Sequence, residues 1–314
     1  MIASRDLTIA VETMASPYAR AGLNCVAECL AMEGYQVTRW QGPYARRFKF
    51  VASTIPNCDA AVIWNGLKPR YQTPVKTLRR RKIPFLVMEV GWHPQKGTYQ
   101  IDRDGINIGA SWVKPLLTQN FATNSTVSLN PKGTDLLVIM QNDTDSQITH
   151  YSPHFDRMSE FLSFLIGASQ LPLRVRFHPR HPPGFRLKML IRRNHNKLTV
   201  DRSESLTSAL DGALAVACVN SSSAVEAMER QLPVLCFGES IYGAIGAVYR
   251  LDRNPEKTRQ VTRELSMGRC ELDRGSIEAV ISKIKSHQLT LDQIPKQVAP
   301  MMESLISSNN EQTD

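Results

Sequence analysis

His178-Pro179 and Asn220-Ser221-Ser222 have the residue types and spacing to hold a phosphate. Residues 213–219 form a near-continuous apolar run, 220–222 a small polar turn, and the following stretch a helical pattern beginning near Ser223. Two hydroxyls at such a junction meet unpaired helix amides and the positive end of the helix, a combination suited to an anion. An ordinary serine N-cap would account for the same residues. Glu226, one turn further on, is placed to accept hydrogen bonds from ribose hydroxyls. His178 follows the apolar run 173–177, where an imidazole could donate to a phosphate or protonate it as it leaves. Arg176, Arg180 and His181 add positive charge around it.

Acidic and amide side chains supply a second set. Glu89 ends the run 85–88 and could serve as nucleophile or general base. Asp102 and Asp104 precede Gly105 in a turn-like stretch. Gln141, Asp145 and Ser146 follow the run 136–140, where they could contact a ligand at the same edge of a sheet or simply build a turn.

These residues need elements to position them. Short apolar runs at 7–11, 60–64, 85–88, 136–140, 173–177, 213–219 and 233–237 alternate with helical patterns at 20–32, 74–81, 155–166, 203–211 and 223–230. Near-continuous apolar strands are what parallel sheets covered on both faces require, and the alternation indicates an α/β fold. Open α/β sheets bind ligands beyond the carboxyl ends of their strands, where the serine turn and His178 both fall. Polar residues over 117–134 suggest a linker between a first domain at 1–130 and a second at 131–306, with a disordered polar tail at 307–314. Residues 291–306 read as a helix able to pack back on the first domain.

At 314 residues, 42% hydrophobic and 21% charged, the chain has enough apolar material for two cores. No apolar run reaches the length of a membrane span, and no signal-like segment opens the chain, so a cytoplasmic location is expected. Six dispersed cysteines form neither a CxxC pair nor a zinc-like cluster, which predicts reduced thiols and no metal site. The net charge of +9 suits an anionic partner: nucleic acid, an anionic membrane face, or an acidic sugar with a phosphorylated donor. Dispersed Lys and Arg, with no helix-turn-helix signature or aromatic-rich binding motif, argue against nucleic acid.

Taken in order, six segments resemble the capsule polysaccharide biosynthesis proteins of the Kdo-transferase type, related to bacterial sialyltransferases. They are Trp64-Asn65-Gly66, Glu89-Val90-Gly91-Trp92, Asp102-Arg103-Asp104-Gly105-Ile106, Gln141 with Asp145-Ser146, His178-Pro179, and a block from Asn220-Ser221-Ser222 through Glu226-Ala227, Pro233-Val234 and Gly238 to Tyr242. The resemblance spans roughly residues 60 to 245. It implies a GT-B fold, in which two Rossmann-like domains face a cleft and the C-terminal helix packs back on the first. It also implies a CMP-activated acidic sugar as donor, with no cofactor and no metal requirement. The acceptor would be a saccharide or a lipid-linked saccharide, and the basic surface leaves open a peripheral contact at the inner face of the membrane that carries it. His178, Ser221 and Ser222 would bind the donor phosphate, with Asn220, Glu226, Arg176, Arg180, Gln141 and Asp145 around them. Where the family has Glu-Asp-Gly, this chain has Val90 in the middle position. Catalysis would then fall to Glu89 or Asp102, with Glu89 the choice, or the protein would be a catalytically impaired nucleotide-binding partner of a polysaccharide assembly system.

Overall fold

Ile9, Ala10 and Val11 are wholly buried in succession, as are Ala60 through Ile63 and Ala215 through Val219. A strand achieves this only when both faces of its sheet are covered. The computed structural model describes residues 5–14, 16–42, 54–179 and 181–310, and divides the chain into two units. The first comprises 1–114 and 285–314; the second comprises 115–284. Arg46-Arg47 and Arg180 lie outside the described residues.

The chain enters the first unit through β1 (Arg5–Thr13), α1 (Pro17–Met32), β2 (Tyr35–Gln41), β3 (Ala60–Trp64), α2 (Gln72–Arg80), β4 (Phe85–Val90) and β5 (Thr98–Asp102). α1 starts with Pro17 in its first turn, where no intrahelical N–H is lost, and buries Ala19, Leu23, Val26 and Leu30 along one face. It ends at Gly34, whose φ of 88° lets its N–H reach back to the Ala31 carbonyl. A Cβ on Gly22 would fall 2.5 Å from the Met88 side chain and 2.6 Å from Tyr99, so glycine here sets how closely α1 lies on the sheet.

α3 (Val113–Thr118) leads into the second unit. There follow β6 (Asp135–Ile139), α4 (Ser146–Tyr151), α5 (Met158–Ala168), β7 (Leu173–Arg176), α6 (Phe185–Arg193), β8 (Leu198–Val200), α7 (Leu206–Asp211), β9 (Ala213–Cys218), α8 (Ser223–Glu229), β10 (Val234–Cys236), β11 (Tyr249–Arg250), α9 (Pro255–Ser266) and α10 (Arg274–Ser286). The sheet order is β11-β10-β9-β6-β7-β8 and every pairing is parallel. In order of appearance this is 3-2-1-4-5-6 read from the far edge, the doubly wound dinucleotide-binding arrangement. Its core includes a cluster of Phe155, Phe161, Phe164 and Phe237, with ring centroids 5.2 to 6.1 Å apart.

The chain then returns to the first unit through β12 (Leu289–Thr290) and α11 (Ile294–Asn310). The completed sheet there is β12-β5-β4-β3-β1-β2, parallel from β4 to β2 and antiparallel at β5 and β12. α11 packs on α1 as expected, and it buries Ile294, Val298 and Met302 completely. The Cys29 thiol donates to the Pro295 carbonyl at 3.4 Å.

Two boundaries differ from the sequence reading. The polar stretch near 120–127 is no free linker: the Thr123 and Ser125 amides donate to the Asp273 carboxylate, and the Val127 amide donates to Leu272 O. These bonds tie it into the second unit, so the junction falls at 114/115, ahead of the expected 130. Residues 285–306, grouped by sequence with the second half, belong to the first unit, and α11 continues past Ile306 to Asn310.

Candidate functional site

In the second unit β6 and β9 are neighbours, with β7 and β8 to one side and β10 and β11 to the other. The loops leaving β6 and β9 therefore diverge at the switch point of the sheet, where such folds open a crevice beyond the strand ends. Gln141 stands on the first loop and Asn220 on the second, and they bind each other. The Gln141 side-chain amide donates to Asn220 Oδ1 at 3.0 Å, and the Asn220 backbone N–H donates to Gln141 Oε1 at 3.1 Å. Asn220 Nδ2 donates to the carbonyls of Gln147, Tyr151 and Glu239 at 3.0 to 3.2 Å. Asn220 is 5% exposed, so this amide holds the two loops together from inside. Asp145 caps α4 by accepting from the Gln147 N–H at 2.9 Å. The Gln147 Nε2 beside them is buried with no partner among the described residues.

Ser221, Ser222 and Ser223 follow Asn220 and are half-buried. The turn is held from below: the Tyr242 hydroxyl donates to the Ser221 carbonyl at 2.8 Å, and the Ser221 hydroxyl accepts from the Ser223 N–H at 3.2 Å. Tyr242 is 1% exposed, and burial pushes its hydroxyl well above the ordinary tyrosine range, so it remains a donor. Gly238 completes the support, because a Cβ there would lie 2.8 Å from the Val219 side chain and 2.9 Å from the Tyr151 carbonyl. Glu226 accepts from the Thr207 hydroxyl at 2.6 Å and so joins α8 to α7.

His178 lies just beyond β7, next to β6 in the sheet, and its ring centroid is 4.8 Å from that of His181. Arg176, which the sequence placed among the donor contacts, is held by partners just beyond the neighbouring strand β8. Its guanidinium pairs with Asp201 and donates to the Ser203 carbonyl at 3.1 Å. Arg174 donates to the other Asp201 oxygen at 2.9 Å and to Asp135 at 2.7 and 3.1 Å. Burial acts to raise the Asp201 carboxyl, but hydrogen bonds from Ser203, Arg176 and Arg174 win and hold it below the usual range. The pair of arginines on β7 is thus an ionic lock across β6, β7 and β8.

In the first unit Glu89 is the penultimate residue of β4 and is half-buried. Asn65 Nδ2 donates to Glu89 Oε2 at 2.6 Å, and the Val90 N–H donates to Oε1 at 3.0 Å. Asn65 is itself fixed: its φ of 67° turns the chain sharply after β3, its N–H donates to the Met88 carbonyl, and its Oδ1 accepts from the Leu67 and Lys68 amides. Asn65, between Trp64 and Gly66, therefore orients the Glu89 carboxylate. Asp102 is spent on its own turn, accepting from the Asp104 and Ser111 amides and the Ser111 hydroxyl.

Glu12, near the end of β1, is a residue that sequence reasoning missed. It is 0% exposed, and its carboxyl accepts from the Trp64 N–H at 2.7 Å and the Tyr71 hydroxyl at 2.6 Å. Gly42 leaves the room for it, since a Cβ there would overlap the Glu12 carboxylate. Burial pushes the carboxyl up to about 8, against the two hydrogen bonds and with help from the Glu89 charge. A strand-end carboxylate in an otherwise apolar run was its only signal in the sequence.

Residues 113–274 match the family described as capsule polysaccharide biosynthesis protein. The chain belongs to that family. No curated protein matches it in sequence. Among solved structures, it is similar to the Thermosulfurimonas dismutans KpsC, beta Kdo 2,7 transferase, at 14% identity and a TM-score of 0.51, over 95% of this chain and 100% of that one. It is also similar to the Thermosulfurimonas dismutans KpsC, beta Kdo 2,4 transferase, at 15% identity and a TM-score of 0.47, over 88% of this chain and 98% of that one. At 14% identity the first likeness is one of fold, and it agrees with two Rossmann-like units of the GT-B type. The family match covers the serine turn, His178-Pro179 and the Gln141–Asn220 pair, but not Glu12 or Glu89.

Proposed function

We propose that this family member is a glycosyltransferase of surface polysaccharide synthesis that takes a CMP-activated acidic sugar, Kdo-like or sialic-acid-like, as donor. The observation that carries this reading is the serine turn at the switch point of the second sheet, held by Tyr242 and by the Gln141–Asn220 pair. Ser221 and Ser222 bind the donor phosphate, and His178 donates to it as negative charge develops on the leaving group. Gln141, Asn220 and Asp145 keep the two loops in place, and Glu226, braced by Thr207, serves the ribose. Glu89, oriented by Asn65, is the catalytic carboxylate of the first unit. No metal or other cofactor takes part, so chelation with EDTA is expected to leave turnover unchanged. The acceptor is a saccharide or a lipid-linked saccharide, met at the inner face of the membrane.

Calorimetry with CMP tests the donor site. Binding is expected in the wild type, weakened at least about tenfold in Ser221→Ala and His178→Ala, because each removes a hydrogen bond to a charged group. Absence of CMP binding, or equal affinity in both variants, would end this assignment.

Val90, standing where the family has Asp, favours a second reading in which the chain binds the nucleotide without turning it over. CMP release from the nucleotide sugar separates the two. Release abolished by Glu89→Ala supports the enzyme; binding without release supports the impaired partner.

A further inference from the structure

α6 carries the sequence Phe185-Arg-Leu-Lys-Met-Leu-Ile-Arg-Arg193, with four cations, no acid and no buried residue. Leu187, Leu190 and Ile191 pack at the edge of the core. Phe185, Arg186, Met189 and Arg193, together with Leu190, line a groove of about 750 Å³ against α5. Phe164 of α5 and Arg253 also line it. Phe185 is 78% exposed, an arrangement that leaves a large apolar ring in water at the start of a cationic helix. Glu160 is the acid of the lining, against three arginines. The described ion pairs of this unit lie on other elements: β6 and β7 with Asp201, the ends of α7 and α8, and α9 and α10 with their flanking residues.

A soluble anion would use the arginines and gain nothing from Phe185 and Met189. An apolar partner would use the rings and be indifferent to the arginines. A surface offering both side by side is an anionic bilayer, where aromatic and aliphatic side chains enter the headgroup boundary and Arg and Lys meet the phosphates. None of the helices among the described residues is long and apolar enough to cross a membrane, so such a contact would lie along the surface.

We propose that α6 and its groove against α5 dock the protein on a membrane of anionic phospholipid. This gives a place to the peripheral contact in the functional reading, and rests on that part of it alone.

Cosedimentation of the full chain with vesicles tests the proposal, with phosphatidylcholine alone compared with phosphatidylcholine containing phosphatidylglycerol. The wild type is expected to bind only the anionic vesicles. Combined Arg186→Glu and Arg193→Glu is expected to weaken binding at least about tenfold, and Phe185→Ser roughly tenfold. Lys132→Glu, an exposed charge reversal away from α6, is expected to bind like the wild type. Calorimetry with CMP on the same variants is expected to be unchanged, so a failed donor site and a failed docking face give different results. No binding to anionic vesicles, or equal loss in Lys132→Glu, would overturn the proposal. So would displacement by inorganic phosphate at constant ionic strength, which would reassign the groove to a soluble anion.

Discussion

Tyr242 and Glu12 show how much single buried side chains contribute to these two sites. Tyr242→Phe keeps the ring in its packing and removes the donor to the Ser221 carbonyl. The expected cost is about 1 kcal/mol of stability and a several-fold loss of CMP affinity, read together from a denaturant titration and calorimetry. Glu12 makes a pH-dependent contribution. Its folded value is raised from 4.5 to about 8, so the folded state holds a proton that the unfolded chain has given up across that window. The stability associated with it is complete below about pH 4.5 and is lost as the pH climbs from there through 8, at about 1.4 kcal/mol for each pH step of one. Urea midpoints at pH 6 and pH 9 should therefore differ by more in the wild type than in Glu12→Gln, which keeps the shape and cannot ionise. Identical pH dependence in the two would show that Glu12 is not the group responsible.

Among the elements, the central parallel strands were legible because they are largely apolar, and the serine turn was legible because it sits between one such strand and a helix. The remaining strands were not. The parallel β2, β8 and β11 are short or partly exposed, and β12 pairs residues 289–290 with 98–99 of β5, a separation at which local pattern carries no information. Separation along the chain also hid the ion-pair partner of Arg176. Its charge beside His178 suggested a ligand contact, but its partner Asp201 lies 25 residues further along the chain and reaches it only because β8 adds to β7. Glu12 went unread because its environment comes from Trp64 and Tyr71, and no periodicity reports that. The lock on β7 is open to a direct test. Asp201→Ala leaves two largely buried guanidinium groups short of their shared carboxylate, and the second unit is expected to lose about 3 kcal/mol in a denaturant titration. A loss under about 1 kcal/mol would mean that Arg174 and Arg176 find other acceptors.

For the whole molecule, connectivity and architecture disagree. The first unit is made from both ends of the chain, with the second inserted between them. α11 alone supplies Ile294, Val298 and Met302 to its core, side chains worth about 1.5 to 3 kcal/mol each on full burial. Against a net stability of roughly 5 to 15 kcal/mol for a domain, their loss is decisive. A chain ending at Ile284 is expected to lose residues 5–114 rapidly to limited proteolysis while 115–284 resists. Equal resistance of the two segments would show that the N-terminal strands stand without α11.

That return of the chain also sets an order of events during synthesis. Translation delivers β1 through β5 first, yet the strand and helix that complete their sheet and cover its α1 side emerge only after residue 285. The second unit, wholly encoded between, can close on itself while the first still lacks Ile294, Val298 and Met302 of its core. The N-terminal segment is therefore the part of this protein that a nascent-chain chaperone has most reason to hold.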